Sequence, residues 1–309
     1  MKSRSVLLTG VSSFTGFWFA QKLYEEGFKV VCPLPRKEND YDDLKLNRLE
    51  LLNRQVSLIY ECPYGSAKFL NLCEDHYDVL CLHGAYVLGY SSDRFPLTLA
   101  LSENLKSSEK VLETLFSKGC RRVIWTSSVF EDAVNLNDTR SSKPGWYRYA
   151  LSKYLSYSAM SELCRGYGLE FSRLVITNPF GPFEDKKLSY HLFNSFLNKE
   201  KEFTIKTPHY VRDMIHVQNL AEIYSKIIIS KECIPEIRPC EYSGSMISFA
   251  KLYQEEVSKR LAINLTINSQ NMEFDEPYSL TNDQHVTTIL NQDLSDQYWD
   301  ELCHYYLKE

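Results

Sequence analysis

The sequence predicts an α/β protein built on a doubly wound parallel sheet, with a smaller, interleaved C-terminal lobe. Three observations carry this expectation. Apolar runs of strand length alternate with segments of helical periodicity, a glycine-bearing turn joins the first strand to the first helix, and past Pro179 the alternation becomes irregular.

Taken in order, strands are expected at residues 5–9, around the apolar run Val6 to Leu8, and at 29–34, 56–60, 79–83, 122–126 and 170–177. Helices are expected between them at 14–26, 67–74, 98–117 and 147–167, and each interval suits a right-handed crossover. Beyond Pro179 come a helix at 188–198, a strand-like 203–205, helices at 219–230 and 247–260, and an amphipathic tail at 296–307. The aromatic residues of that tail, Tyr298, Trp299, Tyr305 and Tyr306, recur at helical spacing and are expected to pack rather than bind.

Composition excludes several classes. With 309 residues, 44% hydrophobic and 24% charged, the chain is long enough for a substantial core and unlike a disordered or fibrous sequence. A net charge of −5 with dispersed basic residues argues against nucleic acid as a partner. No apolar run reaches the roughly 18 residues of a membrane helix, so no membrane role and a cytoplasmic location are expected. The nine cysteines are scattered without a C-x-x-C pair, as reduced core thiols would be, and no residues stand at metal-ligand spacing, so no metal is expected.

The first strand runs into Thr9-Gly10-Val11-Ser12-Ser13-Phe14-Thr15-Gly16 and then an apolar helix. A glycine at a sharp turn before an outward-facing helix N-terminus suits a pyrophosphate, and Gly16 would let helix and strand pack closely. An ordinary strand-to-helix turn is the competing reading, weighed down by the turn's place at the first βα junction. After the second strand the stretch Val31 to Lys37 holds no acid for a ribose hydroxyl, whereas Arg36, with Lys37, could meet a 2′-phosphate. NADP is therefore preferred over NAD, the alternative being that both are solvated loop cations.

Tyr149-Ala150-Leu151-Ser152-Lys153 puts a phenol and an ammonium on one helical face, where the cation can act on a phenolate. Moving a Tyr from near 10 to about 7 takes roughly 4 kcal/mol of differential stabilisation, which a lysine and an oxidised nicotinamide could supply. Upstream, Thr126-Ser127-Ser128 closes a strand, and open α/β sheets bind ligands beyond the carboxyl ends of strands.

These motifs, with D-V-L-C-L-H-G-A from Asp78, Asn104 opening a long helix, N-P-F-G-P from Asn178 and R-D-M-I-H-V from Arg212, resemble the extended short-chain dehydrogenase/reductases. The likeness spans nearly the whole chain and is to the NAD(P)-dependent nucleotide-sugar epimerases and reductases in particular. It implies a Rossmann domain over 1–178, with 213–233 returning to it, and a substrate-binding lobe over 179–212 and 234–309. It implies Tyr149 as general acid/base, Lys153 on the nicotinamide ribose and Ser128 orienting the substrate. Thr9, Gly10, Ser12, Ser13, Phe14, Thr15 and Gly16 would surround the pyrophosphate and Arg36 the adenosine ribose. His83, Gly84, Ala85, Asn104 and Pro179, with Tyr149 and Lys153, would line the rest of the cofactor. Asn178 and Arg212 would touch the substrate, the arginine at its diphosphate, and helices near 98 and 147 would form a homodimer interface.

The departures bear on the reaction. Ser13 replaces a family glycine, Tyr60-Glu61-Cys62-Pro63 replaces a Gly-Asp pair, and Val129 and Phe130 stand where dehydratases carry an Asp-Glu pair, with Glu131 and Asp132 two places late. Dehydration is disfavoured, which leaves C4 epimerisation or keto-sugar reduction. A reductase of small aldehydes or ketones and a non-catalytic dinucleotide-binding regulator are the rival readings.

Overall fold

β1 (Ser5–Leu8) is buried at all four positions, which is how a strand reads when helices cover both faces of its sheet. The computed structural model describes residues 4–136, 144–273, 276–293 and 295–308. Two units emerge, the first comprising Met1–Ile176 with Tyr224–Ile237, the second Thr177–Ile223 with Arg238–Glu309.

In the first unit β1 leads to α1 (Phe14–Glu25), β2 (Lys29–Pro33), α2 (Asp43–Leu52), β3 (Ser57–Ile59) and α3 (Ala67–Leu72). There follow β4 (Val79–Leu82), α4 (Leu97–Asn104), α5 (Ser108–Ser117), β5 (Arg122–Ser128), α6 (Gly145–Gly166) and β6 (Glu170–Ile176). The sheet order is β3-β2-β1-β4-β5-β6, extended at the β6 edge by the strand Glu236–Ile237, and every pairing is parallel. The order reverses between β1 and β4, and such a switch point opens a crevice at the carboxyl ends of the strands. Leu80, Leu112, Val123, Trp125 and Met160 lie in the core on the α5 and α6 side.

Two expectations about these elements are corrected. α2 lies where no helix is expected, although Asp42 caps it by accepting the Lys45 amide and Leu49 and Leu52 supply its buried face. The single helix expected at 98–117 is two helices, broken where Ser107 adopts a left-handed φ of 53° ahead of α5. Asn104 therefore ends α4 instead of opening a helix.

The second unit contains β7 (Asn178–Phe180), α7 (Leu188–Leu197), β8 (Glu202–Ile205), β9 (Val211–His216) and the first half of α8 (Val217–Ile229). β9 pairs in parallel with β7 and antiparallel with the strand Tyr242–Ser245, which keeps residues 213–223, expected with the first unit, in the second. From Tyr224 onward α8 belongs to the first unit. There Tyr224 stacks on Phe19, ring centroids 3.9 Å apart, and Arg122 donates to the carbonyls of Ile227 and Ser230 at 3.1 and 2.7 Å. The core of the second unit is aromatic, with Phe180, Phe193, Phe249, Tyr253, Trp299 and Tyr306 interleaved, so the tail aromatics pack as expected. Eight of the nine cysteines are buried and all nine are free thiols.

Glu184, 3% exposed, accepts hydrogen bonds from the Ser189 hydroxyl and, at 2.9 Å, from the Tyr306 phenol. Burial lifts its carboxyl from 4.5 to about 8, against the pull of Ser189, Tyr306 and Lys187. Between those two values the folded chain holds a proton that the unfolded chain has lost. The stabilisation linked to that proton is complete below pH 4.5 and is lost as pH rises through 8. Urea unfolding should therefore show stability falling from pH 5 to 8 with a component of up to about 1.4 kcal/mol per pH unit. Glu184→Gln should remove that component, and identical pH profiles for variant and wild type would exclude it.

Candidate active site

The turn after β1 is built from backbone that only glycine fits. Gly10 has a φ of +80°, and a Cβ there would stand 2.6 Å from the Gly84 amide nitrogen, while a Cβ on Gly16 would stand 2.2 Å from the Gly10 carbonyl oxygen. Ser13 is the N-cap of α1. Its hydroxyl donates to the Gly10 carbonyl at 2.8 Å and accepts the Gly16 amide at 3.2 Å. The serine that replaces a family glycine thus takes up one of the helix-start amides itself. No acidic residue lies in the first turn of α1, so its N-terminus remains suited to an anion.

Thr9 ties this turn to the end of β4, since its hydroxyl accepts the amides of His83 at 3.1 Å and Gly84 at 2.9 Å. His83 in turn joins three elements. Its Nε2 lies 3.0 Å from both the Ser13 and Thr15 hydroxyls, and its Nδ1 lies 3.1 Å from the Thr126 hydroxyl on β5. Because the Ser13 proton goes to Gly10, the tautomer that satisfies the group is Nε2–H, with Thr126 donating to Nδ1. Burial, with the charge of Lys153 adding, pushes this imidazole down to about 3, so it is a neutral bridge. Ala85 follows in the same turn, half-buried, and the Tyr86 amide donates to the Asn104 side-chain oxygen at 2.8 Å. Asn104 also donates to Ser156 of α6 at 3.3 Å, so it braces the loop after β4.

Ser128 ends β5 and caps the 3₁₀ turn Val129–Ala133. Its amide donates to Glu131 at 2.9 Å, its hydroxyl accepts the Phe130 amide at 3.4 Å, and the turn packs through Phe130 and Ala133 against Trp146, Tyr147 and Ala150 at the start of α6, next to Tyr149. The neighbouring Ser127 hydroxyl is held between Arg173 at 2.8 Å and Glu131 at 3.1 Å. The Tyr149 ring meets Tyr90 and Phe95, from the loop after β4, edge-on at 5.7 and 5.9 Å. Burial, then the charges of Glu131 and Tyr90, push the phenol above its ordinary value, with Ser128 opposing. Lys153 lies one turn further along α6, buried, with its ammonium donating to the Thr126 carbonyl at 2.6 Å and 4.9 Å from the Trp125 ring centroid. Burial lowers its proton affinity, and Glu131 opposes that. The raised phenol departs from the expectation that Lys153 would bring it down, because burial, Glu131 and Tyr90 act the other way.

Arg36 is exposed, its guanidinium 5.9 Å from the Tyr41 ring centroid, and Lys37 is 4.0 Å from Glu61. A residue not singled out from the sequence lies closer to the turn. Arg48 of α2 is fully buried, donates to the Ser12 carbonyl at 3.2 Å and sits 5.8 Å from the Phe14 ring centroid. The signal that could have located it is the same Asp42 cap that announces α2.

Asn178, Pro179 and Arg212 belong to the second unit. Asn178 donates to the Asp213 carbonyl at 3.1 Å, and Pro179 pairs with Ile215. Arg212, expected on a diphosphate, is 7% exposed and donates to the Val211 and Tyr278 carbonyls at 2.8 and 3.1 Å and to Glu276 at 3.1 Å. Among the described residues no cluster of His, Cys, Asp and Glu could hold a metal ion, and no helix is long and apolar enough to cross a membrane.

The family model described as NAD dependent epimerase/dehydratase matches residues 6–236. A curated relative, vestitone reductase from Medicago sativa, is 24% identical over 280 residues, 79% of this chain and 80% of its own. A UDP-N-acetylglucosamine 4-epimerase from Methanobrevibacter ruminantium, solved with UDP-N-acetylmuramic acid, has a TM-score of 0.74 at 19% identity over 100% of this chain and 99% of its own. A UDP-glucuronic acid 4-epimerase from Bacillus cereus, solved with UDP-glucuronic acid and NAD, has a TM-score of 0.72 at 17% identity over 98% and 99%. A dTDP-glucose 4,6-dehydratase from Streptomyces venezuelae has a TM-score of 0.71 at 13% identity over 98% and 97%. All three share the doubly wound fold.

Gly10→Ala should push the Gly84 backbone aside. We expect a loss of about 1–3 kcal/mol in urea unfolding, from the strained φ and the contact, together with a dinucleotide affinity weakened more than tenfold in fluorescence titration. Unchanged affinity would remove the turn from the cofactor site.

Proposed function

The chain belongs to the NAD dependent epimerase/dehydratase family, and we propose that it transfers hydride at a carbon of a nucleotide-diphosphate sugar, by C4 epimerisation or 4-keto reduction. The observation that carries the reading is the packing of the turn capped by Ser128 against the start of α6, where Tyr149 and, one turn on, Lys153 lie, in the unit that also holds the glycine turn.

The residues of that turn fit a dinucleotide, with close backbone approach at Gly10 and Gly16 and a helix start free of acidic side chains. When bound, the nicotinamide supplies the acceptor or donor of the hydride. Tyr149 takes the proton of the substrate hydroxyl as the carbon is oxidised, or returns it to the keto oxygen as the carbon is reduced. Ser128, at the end of β5, orients that same oxygen. Lys153 spends one of its three N–H donors on Thr126 and can direct others to a ribose. Exposed Arg36 in a stretch without acids from Val31 to Lys37 favours NADP over NAD.

Glu131, whose side chain is enclosed and engaged by Arg173, is poorly disposed to serve as the extra acid of a dehydratase, which supports epimerisation or reduction. Reduction of a small ketone is the second reading, favoured by the vestitone reductase likeness and by the internal pairing of Arg212. A homodimer through α4, α5 and α6 accompanies the leading reading, with Leu99 and Phe116 exposed on those helices.

Uridine, guanosine, cytidine and thymidine diphosphate sugars should be screened by thermal shift with the dinucleotide present, and one class should stabilise the protein, by about 2.7 kcal/mol at 100 times its Kd. Turnover of a simple ketone with no such shift would overturn the nucleotide-sugar assignment. Tyr149→Phe should slow hydride transfer by about 10²–10⁴-fold with dinucleotide affinity retained, and an unchanged rate would end the enzymatic reading.

A further inference from the structure

Beneath the Ser128–Tyr149 pair lies a buried charge cluster that the proton transfer itself does not use. The Glu131 side chain is completely enclosed. One of its oxygens accepts the Ser128 amide at 2.9 Å, and the other accepts the Ser127 hydroxyl at 3.1 Å and the Arg173 guanidinium at 2.9 Å. Arg173, on β6, extends the cluster to Glu236 at 2.8 Å and lies 4.2 Å from the Tyr157 ring centroid. We propose that Glu131, held by Arg173, is a positioning residue that aims Ser128 at the Tyr149 phenol and sets the electrostatic field in which that phenol gains and loses its proton.

The positioning half follows from hydrogen bonding. Glu131 and Arg173 occupy the Ser127 hydroxyl, which leaves Ser128 as the alcohol of the pair available to Tyr149. The capping of the Ser128 amide by the same carboxylate fixes the backbone from which that hydroxyl projects. The electrostatic half follows from charge. The turn that carries Glu131 packs through Phe130 and Ala133 on Trp146, Tyr147 and Ala150, around Tyr149 at the start of α6, and an enclosed carboxylate there disfavours a phenolate and favours an ammonium, the directions in which Glu131 acts on Tyr149 and Lys153. The other titratable or charged groups facing the cluster and the phenol are Tyr90 from the loop after β4, Tyr157 and Lys153 from α6, and Arg173 with Glu236 from the sheet edge.

The inference rests on Tyr149 being the proton-transfer group, yet its test needs no sugar substrate. In the binary complex with oxidised dinucleotide, ionisation of Tyr149 is followed by the tyrosinate difference spectrum, with Tyr149→Phe as the blank. Glu131→Gln keeps the side-chain shape, and Arg173 retains Glu236 as counter-charge, so the fold should survive. The midpoint should fall by about one pH unit, a tenfold gain in phenolate at fixed pH, whereas Glu131→Asp, which keeps the charge, should stay close to wild type. If Glu131→Gln fails to fold, Arg173→Met carries the test with the opposite sign, a midpoint raised by a similar amount. Equal midpoints in wild type and variants, or no Tyr149-dependent signal below pH 10 in any of them, overturns the proposal. Failure of every nucleotide sugar to bind would instead bear on the substrate alone.

Discussion

Burial of the Lys153 ammonium against the Thr126 carbonyl is the constraint around which the first unit is arranged. A charge taken out of water is tolerated only when it is paired and hydrogen-bonded. Here the carbonyl, the face of Trp125 and the field of Glu131 share that task. Because the carbonyl belongs to β5 and the lysine to α6, the bond fixes the helix along the strand, and Tyr149, one turn earlier, is thereby set beside Ser128. Thr126 continues the chain of contacts through its hydroxyl to His83, and His83 carries it to the helix start at Ser13 and Thr15. A neutral imidazole suits that place, since an imidazolium would put a second positive charge beside Lys153.

The parts of this arrangement legible in the sequence are those fixed by local chemistry. Strand and helix alternate with different periods, Gly10 and Gly16 stand where only glycine fits, and the spacing of Tyr149 and Lys153 is a helical neighbour relation. The resemblance to a known family extended that reading to Ser128. What remained hidden depends on tertiary partners. Nothing in the string Val129-Phe130-Glu131-Asp132 announces that Glu131 turns inward, because the reason is Arg173, 42 positions later on another strand. Residues 213–223 fall to the second unit because β9 finds its neighbours there, a choice made by pairing and not by composition. α2 is a different case, since its Asp42 cap was readable, but its short, weakly amphipathic run sits among charged residues.

The second unit treats its own cation differently. Arg212 is satisfied by Glu276 and two backbone carbonyls, so any anion that claims it must displace a carboxylate that is itself partly solvated. Such an exchange would swap one charge-assisted bond for another.

The enclosed thiols have a consequence of a different kind. With Cys120 pushed up to about 11 and Cys73 and Cys164 to about 12 by burial, the thiolate fraction at neutral pH is about one in ten thousand or less. Electrophiles and peroxides therefore find these three sulfurs almost inert for as long as the sheet stays closed. The rate at which an alkylating reagent consumes these sulfurs becomes a clock for the opening of the chain, and oxidative damage, when it comes, marks molecules that had already begun to come apart.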